Sequence, residues 1–91
     1  GDAGDGMLSF PMRGWTLTMD LPVTDGLGKL IHHLDELVME AGGRIYLAKD
    51  GCSSPQVVSA GYPRVNEWRN VRSRVDPNGI FQSDLSRRLE L

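Results

Sequence analysis

Between Gly14 and Leu21 the chain alternates apolar and polar residues: Trp15, Leu17, Met19 and Leu21 fall on one side, and Thr16, Thr18 and Asp20 on the other. A period of two in a run of this kind predicts a half-buried β-strand. Beyond Pro22 the period changes. Leu27, Leu30, Ile31, Leu34, Leu37, Val38 and Ala41 recur at spacings of three and four, drawing one apolar stripe along a predicted helix from about Asp25 to Ala41. Thr24 or Asp25 can offer a side-chain oxygen to the free amides at its start, and Gly42-Gly43 can supply a left-handed stop. The run Arg44-Ile45-Tyr46-Leu47-Ala48-Lys49 then predicts a second short strand, ending at Asp50-Gly51.

The predicted fold class is therefore α+β, a strand-helix-strand unit followed by short C-terminal helices. Ser53 or Ser54 is placed to start a helix before Pro55, and Tyr62-Pro63 leads into another whose buried stripe is Val65, Trp68, Val71 and Val75. Asp76-Pro77-Asn78-Gly79 has the composition of a tight turn, and Ser83 can cap a last helical turn carrying Leu85 and Leu89. Residues 1–13, opening on Gly1-Asp2-Ala3-Gly4-Asp5-Gly6, are expected to be a flexible or extended lead-in, with residues 14–91 forming the structured region.

Composition narrows the class. With 91 residues, 40% hydrophobic and 24% charged, the chain suits one small globular domain and not a disordered segment. The formal net charge of -2 gives no general attraction to nucleic acid or to anionic membranes. Charge is unevenly placed, since Arg64, Arg69, Arg72, Arg74, Arg87 and Arg88 all follow Pro63, but the basic stretch is interrupted by acids. The single cysteine, Cys52, excludes an internal disulfide. No apolar run has the length of a membrane span and no secretory signal opens the chain, so the expected location is cytoplasmic or peripheral to a membrane. The chain begins at Gly1 and has its first methionine at Met7, so it is expected to be a fragment with sequence upstream.

Several residues invite a chemical reading. His32 and His33 are adjacent on a helix and point about 100 degrees apart, so they cannot share one ion; no metal site is expected and solvated histidines are. Cys52 has no local base or cation to activate it as a nucleophile. Arg64, Arg69, Arg72 and Arg74 surround Trp68 in a pattern that nucleic-acid contact would use, but Trp68 lies on the apolar stripe and is expected in the core, leaving the arginines on a solvated or interdomain face. Lys49, at a predicted strand end, either reaches into a crevice or is an exposed solubilising charge.

Leu8-Ser9-Phe10-Pro11, Gly14-Trp15-Thr16-Leu17, the segment from Gly42 to Asp50, Tyr62-Pro63-Arg64, and Val75-Asp76-Pro77 through to Phe81 together resemble a known C-terminus. It is that of the FAD-linked oxidoreductases of the vanillyl-alcohol-oxidase superfamily, and within them the branch oxidising polyprenylphosphoryl ribose; aldonolactone and alditol oxidases are more distant. The resemblance implies an FAD-binding domain upstream in the same chain and a cap domain over the flavin, which this C-terminal stretch completes. It implies a parent enzyme that oxidises a sugar alcohol or sugar-lipid substrate in cell-wall biosynthesis, with a reductase as a further partner and no nucleic acid. Tyr46 matches a tyrosine that contacts FAD. Lys49 matches a lysine beside the flavin ring and substrate, where a fixed cation stabilises negative charge developing during oxidation. Thr18 stands where mycobacterial members carry a substrate-facing cysteine. On this reading the isolated chain is inactive and holds FAD weakly. The alternative is a free-standing α+β interaction module that binds a partner through its arginine-bearing helix.

Overall fold

Four α-helices and one turn of 3-10 helix make up the regular structure of the computed structural model, which describes residues 1–91. They are α1 (Leu27–Glu40), α2 (Pro55–Gly61), α3 (Val65–Val75) and α4 (Asp84–Leu89), with the 3-10 turn at Leu47–Lys49 between α1 and α2. Local chemistry sets most of their ends. The C-terminus of α1 closes in a Schellman arrangement: Gly43 N–H donates to the Val38 carbonyl (2.8 Å) and Gly42 N–H to that of Met39 (2.9 Å). Gly42 takes the left-handed conformation this requires, with φ of 69°. Ser54 caps α2 by accepting from Val57 N–H, with Pro55 in the first turn. Ser83 and Ser86 form a reciprocal capping box on α4. The turn after α3 forms as expected, with Gly79 N–H donating to the Asp76 carbonyl (3.1 Å).

The start of α1 differs from the expected one. Neither Thr24 nor Asp25 caps it through a side chain; Gly26, with φ of 93°, is the capping residue, and Leu27 N–H donates to the Thr24 carbonyl (3.1 Å).

No strand or sheet is present, so the expected α+β strand-helix-strand unit is overturned and the chain is all-helical in its regular structure. The reason is pairing. From Phe10 to Val23 no residue makes a backbone–backbone hydrogen bond, and Trp15 is 102% exposed and Leu17 80%. Alternation states how side chains would divide between the faces of a sheet; it does not provide a neighbouring ladder. The second expected strand is drawn elsewhere. Tyr62 Oη donates to the Ile45 carbonyl (2.6 Å) and an Arg44 guanidinium N–H to that of Ser9 (2.8 Å). At Leu47 the chain then winds into i to i+3 bonds, Lys49 N–H to Tyr46 and Asp50 N–H to Leu47.

The core gathers around α2, α3 and α4. Val58, Tyr62, Val65, Leu89 and Leu91 are its buried members, and Leu8, Leu47, Trp68 and Leu85 pack against them. Thus Trp68, partly buried, packs on the core side as expected, whereas Val75, on the same expected stripe, is exposed. α1 packs on α2, yet no leucine of its stripe is fully buried; its one buried residue is Asp35.

Candidate functional site

Tyr46 and Lys49 sit at the two ends of the same turn, joined by the Lys49 N–H to Tyr46 carbonyl hydrogen bond (3.1 Å). Tyr46 is 47% exposed, and its ring lies 5.0 Å from that of Phe10, centroid to centroid, tilted by 50°. Lys49 is exposed, and its ammonium forms no ion pair or hydrogen bond with the rest of the chain. One short turn therefore carries both an exposed, unpaired lysine and a half-exposed aromatic ring.

The turn is fastened on both sides. On the Tyr46 side, the Tyr62 hydroxyl holds the Ile45 carbonyl, and the Arg44 guanidinium lies 5.3 Å over the Tyr62 ring. α2 approaches this segment closely at Gly61, where a methyl group would come within 2.9 Å of Arg44 Cβ. On the Lys49 side, Asp50 has a side chain only 3% exposed. Its Oδ1 accepts from the backbone N–H of Cys52 (3.0 Å) and Ser53 (2.8 Å), and its Oδ2 from Arg88 Nη2 (2.9 Å). Arg88 Nη1 also donates to the Ser53 carbonyl (2.5 Å). Burial pushes the Asp50 carboxyl up, but the Ser53 and Cys52 amides together with Arg88 outweigh it and hold the group below the usual carboxylate range.

Asp35 of α1 reaches the same neighbourhood with the opposite result. Burial raises its carboxyl above the usual range, the Ser53 hydroxyl opposes that shift, and the charge of Asp50 adds to it. Tyr62 is likewise raised, by burial first, with the Arg44 charge acting against it.

Of the residues singled out in the sequence, Tyr46 and Lys49 are brought together, though on a helical turn and not a strand. Thr18 lies on the exposed segment before α1, and no hydrogen bond joins it to either of them. His32 and His33 are exposed, each 3.6 Å from a carboxylate oxygen of Glu36, and Cys52 is exposed. Three of the arginines at and along α3 are engaged within the chain: Arg64, just before the helix, pairs with Glu67, Arg69 donates to the Glu90 carbonyl, and Arg72 donates to that of Phe81 while lying 5.7 Å over the Trp68 ring. That internal use leaves them poorly suited to the alternative role of a partner-binding face. Sequence reasoning missed Asp50, Tyr62 and Arg88, which build the support of the turn; Arg88 and Asp50 are 38 positions apart, and no local pattern links them.

Comparison with known proteins adds the family. The family model for D-arabinono-1,4-lactone oxidase matches residues 17–89. Over 91 residues, all of this chain and 20% of the relative, the sequence is 44% identical to a decaprenylphosphoryl-beta-D-ribose oxidase of Mycolicibacterium smegmatis. It is 47% identical over 92 residues, 25% of the relative, to an uncharacterized protein in the mprA 5' region of Streptomyces coelicolor. The chain thus spans one fifth to one quarter of the length of these curated relatives.

Proposed function

This chain belongs to the D-arabinono-1,4-lactone oxidase family, and from that membership we propose that it is the part of an FAD-dependent sugar oxidase that presents Tyr46 and Lys49 to the flavin ring. The observation that carries this reading is that the unpaired Lys49 and the half-exposed Tyr46 share one turn fastened at both ends. An aromatic face and a free cation fit the polar edge of a flavin ring. The contacts to its pyrophosphate and adenine are assigned to the remainder of the protein, as is the closing of the site over the exposed segment that carries Thr18.

FAD, when bound, supplies the oxidising chemistry by accepting hydride from a sugar carbon. The chain's own residues supply placement and charge. Lys49 holds a fixed positive charge where negative charge develops, an interaction that is stronger in the transition state than in the ground state. Tyr46 contributes the aromatic surface, and Thr18 a hydroxyl on the substrate side. The name of the mycobacterial relative supports a polyprenylphosphoryl ribose as the substrate class.

Stopped-flow reduction of the bound flavin by substrate tests the role of Lys49 in the full-length protein. Lys49→Ala is expected to slow reduction by roughly 100- to 1,000-fold, the usual cost of removing one charge-stabilising donor, and to lower the flavin potential. Lys49→Arg keeps the charge in another shape and should retain part of the rate. An alanine variant that keeps its FAD and is reduced at the parental rate returns Lys49 to an ordinary surface charge.

A further inference from the structure

Lys49 has no side-chain partner of its own, so whatever holds its backbone decides where its charge can go. The residue that follows it, Asp50, is the most constrained point of the turn. Both of its carboxylate oxygens are used, one by the amides of Cys52 and Ser53 and the other by Arg88. Arg88 reaches further. Its fork of N–H donors also meets the Ser53 carbonyl (2.5 Å) and, more weakly, that of Asp50 (3.4 Å), so a single guanidinium grips the turn at three oxygens. Such a fork fixes orientation as well as distance.

Arg88 is in turn set by its own helix. The capping box of Ser83 and Ser86 fixes the first turn of α4, and Leu89, next to Arg88, is a fully buried member of the core. A continuous path therefore runs from the core through Leu89 and Arg88 to Asp50 and on to Lys49. We propose that Arg88 is a positioning residue for Lys49, locking the turn so that the root of the Lys49 side chain is held in one place and its ammonium is confined to the reach of that side chain. The proposal rests on the reading of Lys49 as the flavin-proximal cation.

A merely structural ion pair would also be lost on substitution, so the test must read Lys49. In the flavin-loaded full-length protein, with FAD content measured for each variant, Arg88→Met should keep its flavin but reduce it up to roughly 100-fold more slowly, as a misplaced group does. The flavin potential should fall in the same direction as in Lys49→Ala. Because Arg88 acts through Lys49, Arg88→Met should add no further loss in the Lys49→Ala background. Arg88→Lys, with one point charge in place of a fork, should recover part of the rate. Should Arg88→Met fail to fold, Asp50→Asn carries the same test, since it keeps an acceptor for the Cys52 and Ser53 amides while removing the carboxylate that pairs with Arg88. Parental reduction rates and potentials in these variants, or a loss of equal size with and without Lys49, would overturn the proposal. Parental behaviour of Lys49→Ala would overturn the reading beneath it instead.

Discussion

Asp35 and Asp50 are both withdrawn from water, and their surroundings drive them in opposite directions. Asp50 has three donors on its carboxylate, so its ionised form is favoured in the fold despite burial. A depressed folded pKa contributes stability that is present above the ordinary carboxylate range and lost as pH falls through the folded value. Asp50→Asn should therefore destabilise the protein at pH 7, by roughly 1.5 to 3 kcal/mol for a lost charged hydrogen bond. The deficit against the parent should begin to shrink below about pH 4, where the carboxyl protonates in the unfolded chain, and should close only as the pH falls through the depressed folded value. Asp35 is raised by burial and by the charge of Asp50, so folding shifts its balance toward the protonated form. Its contribution has the other sign, being most favourable at low pH and lost as pH rises through the folded value. Asp35→Asn should raise the thermal midpoint at pH 7, and the gain should vanish on acidification. Thermal unfolding of both variants at pH 7 and pH 3 decides the matter; a stabilised Asp50→Asn or a destabilised Asp35→Asn at neutral pH would show that the balance of burial and donors has been misread.

At the scale of elements, what could be read from the sequence was what is local. Ser54, Ser83, Gly42-Gly43 and the turn from Asp76 to Gly79 each act within a few residues, and each does in the structure what its chemistry requires. The helix of α1 was legible for the same reason, since its spacing is a property of one segment. The strands were not, because a strand exists only through a partner and no partner accompanies Gly14 to Leu21 here. Tyr46 and Lys49 were singled out through resemblance, but what holds their turn was hidden, because Tyr62 meets Ile45 across 17 positions and Arg88 meets Asp50 across 38. The joint between α2 and this supported segment gives a sharp test. A Cβ on Gly61 would lie 2.9 Å from Arg44 Cβ, 3.1 Å from Arg44 Cα and 3.3 Å from the Gly43 carbonyl oxygen, so backbone, not a yielding side-chain tip, stands in the way. Gly61→Ala should cost about 1 to 3 kcal/mol by overpacking, whereas Ser83→Ala should cost about 1 kcal/mol by loss of a cap. Urea midpoints would measure both, and a neutral Gly61→Ala would mean that α2 and the turn are not in firm contact.

Taken as a whole molecule, the chain carries more apolar surface than it covers. Only nine of its 91 residues are buried, while Trp15, Leu17, Val23, Val75, Ile80 and Phe81 stand open. Its radius of gyration, 14.1 Å, exceeds the about 12 Å of a compact domain of this length. Open faces of this kind are normally covered in a working protein, and the relatives, of which this chain spans one fifth and one quarter, have the length to cover them. The same division should govern the cofactor. The turn bearing Tyr46 and Lys49 offers one ring face and one cation, and the affinity of a dinucleotide rests chiefly on its phosphates, which need a cradle of backbone amides or a helix terminus. The 91-residue chain by itself is therefore expected to bind FAD weakly or not at all and to be inactive, while binding a hydrophobic-surface dye that the full-length protein does not. Titration of FAD followed by flavin fluorescence, beside the same titration of the full-length protein, checks this. Stoichiometric binding by the isolated chain at micromolar concentration would move the main cofactor contacts into residues 1–91 and overturn the assignment of the flavin's phosphate end to the remainder of the protein.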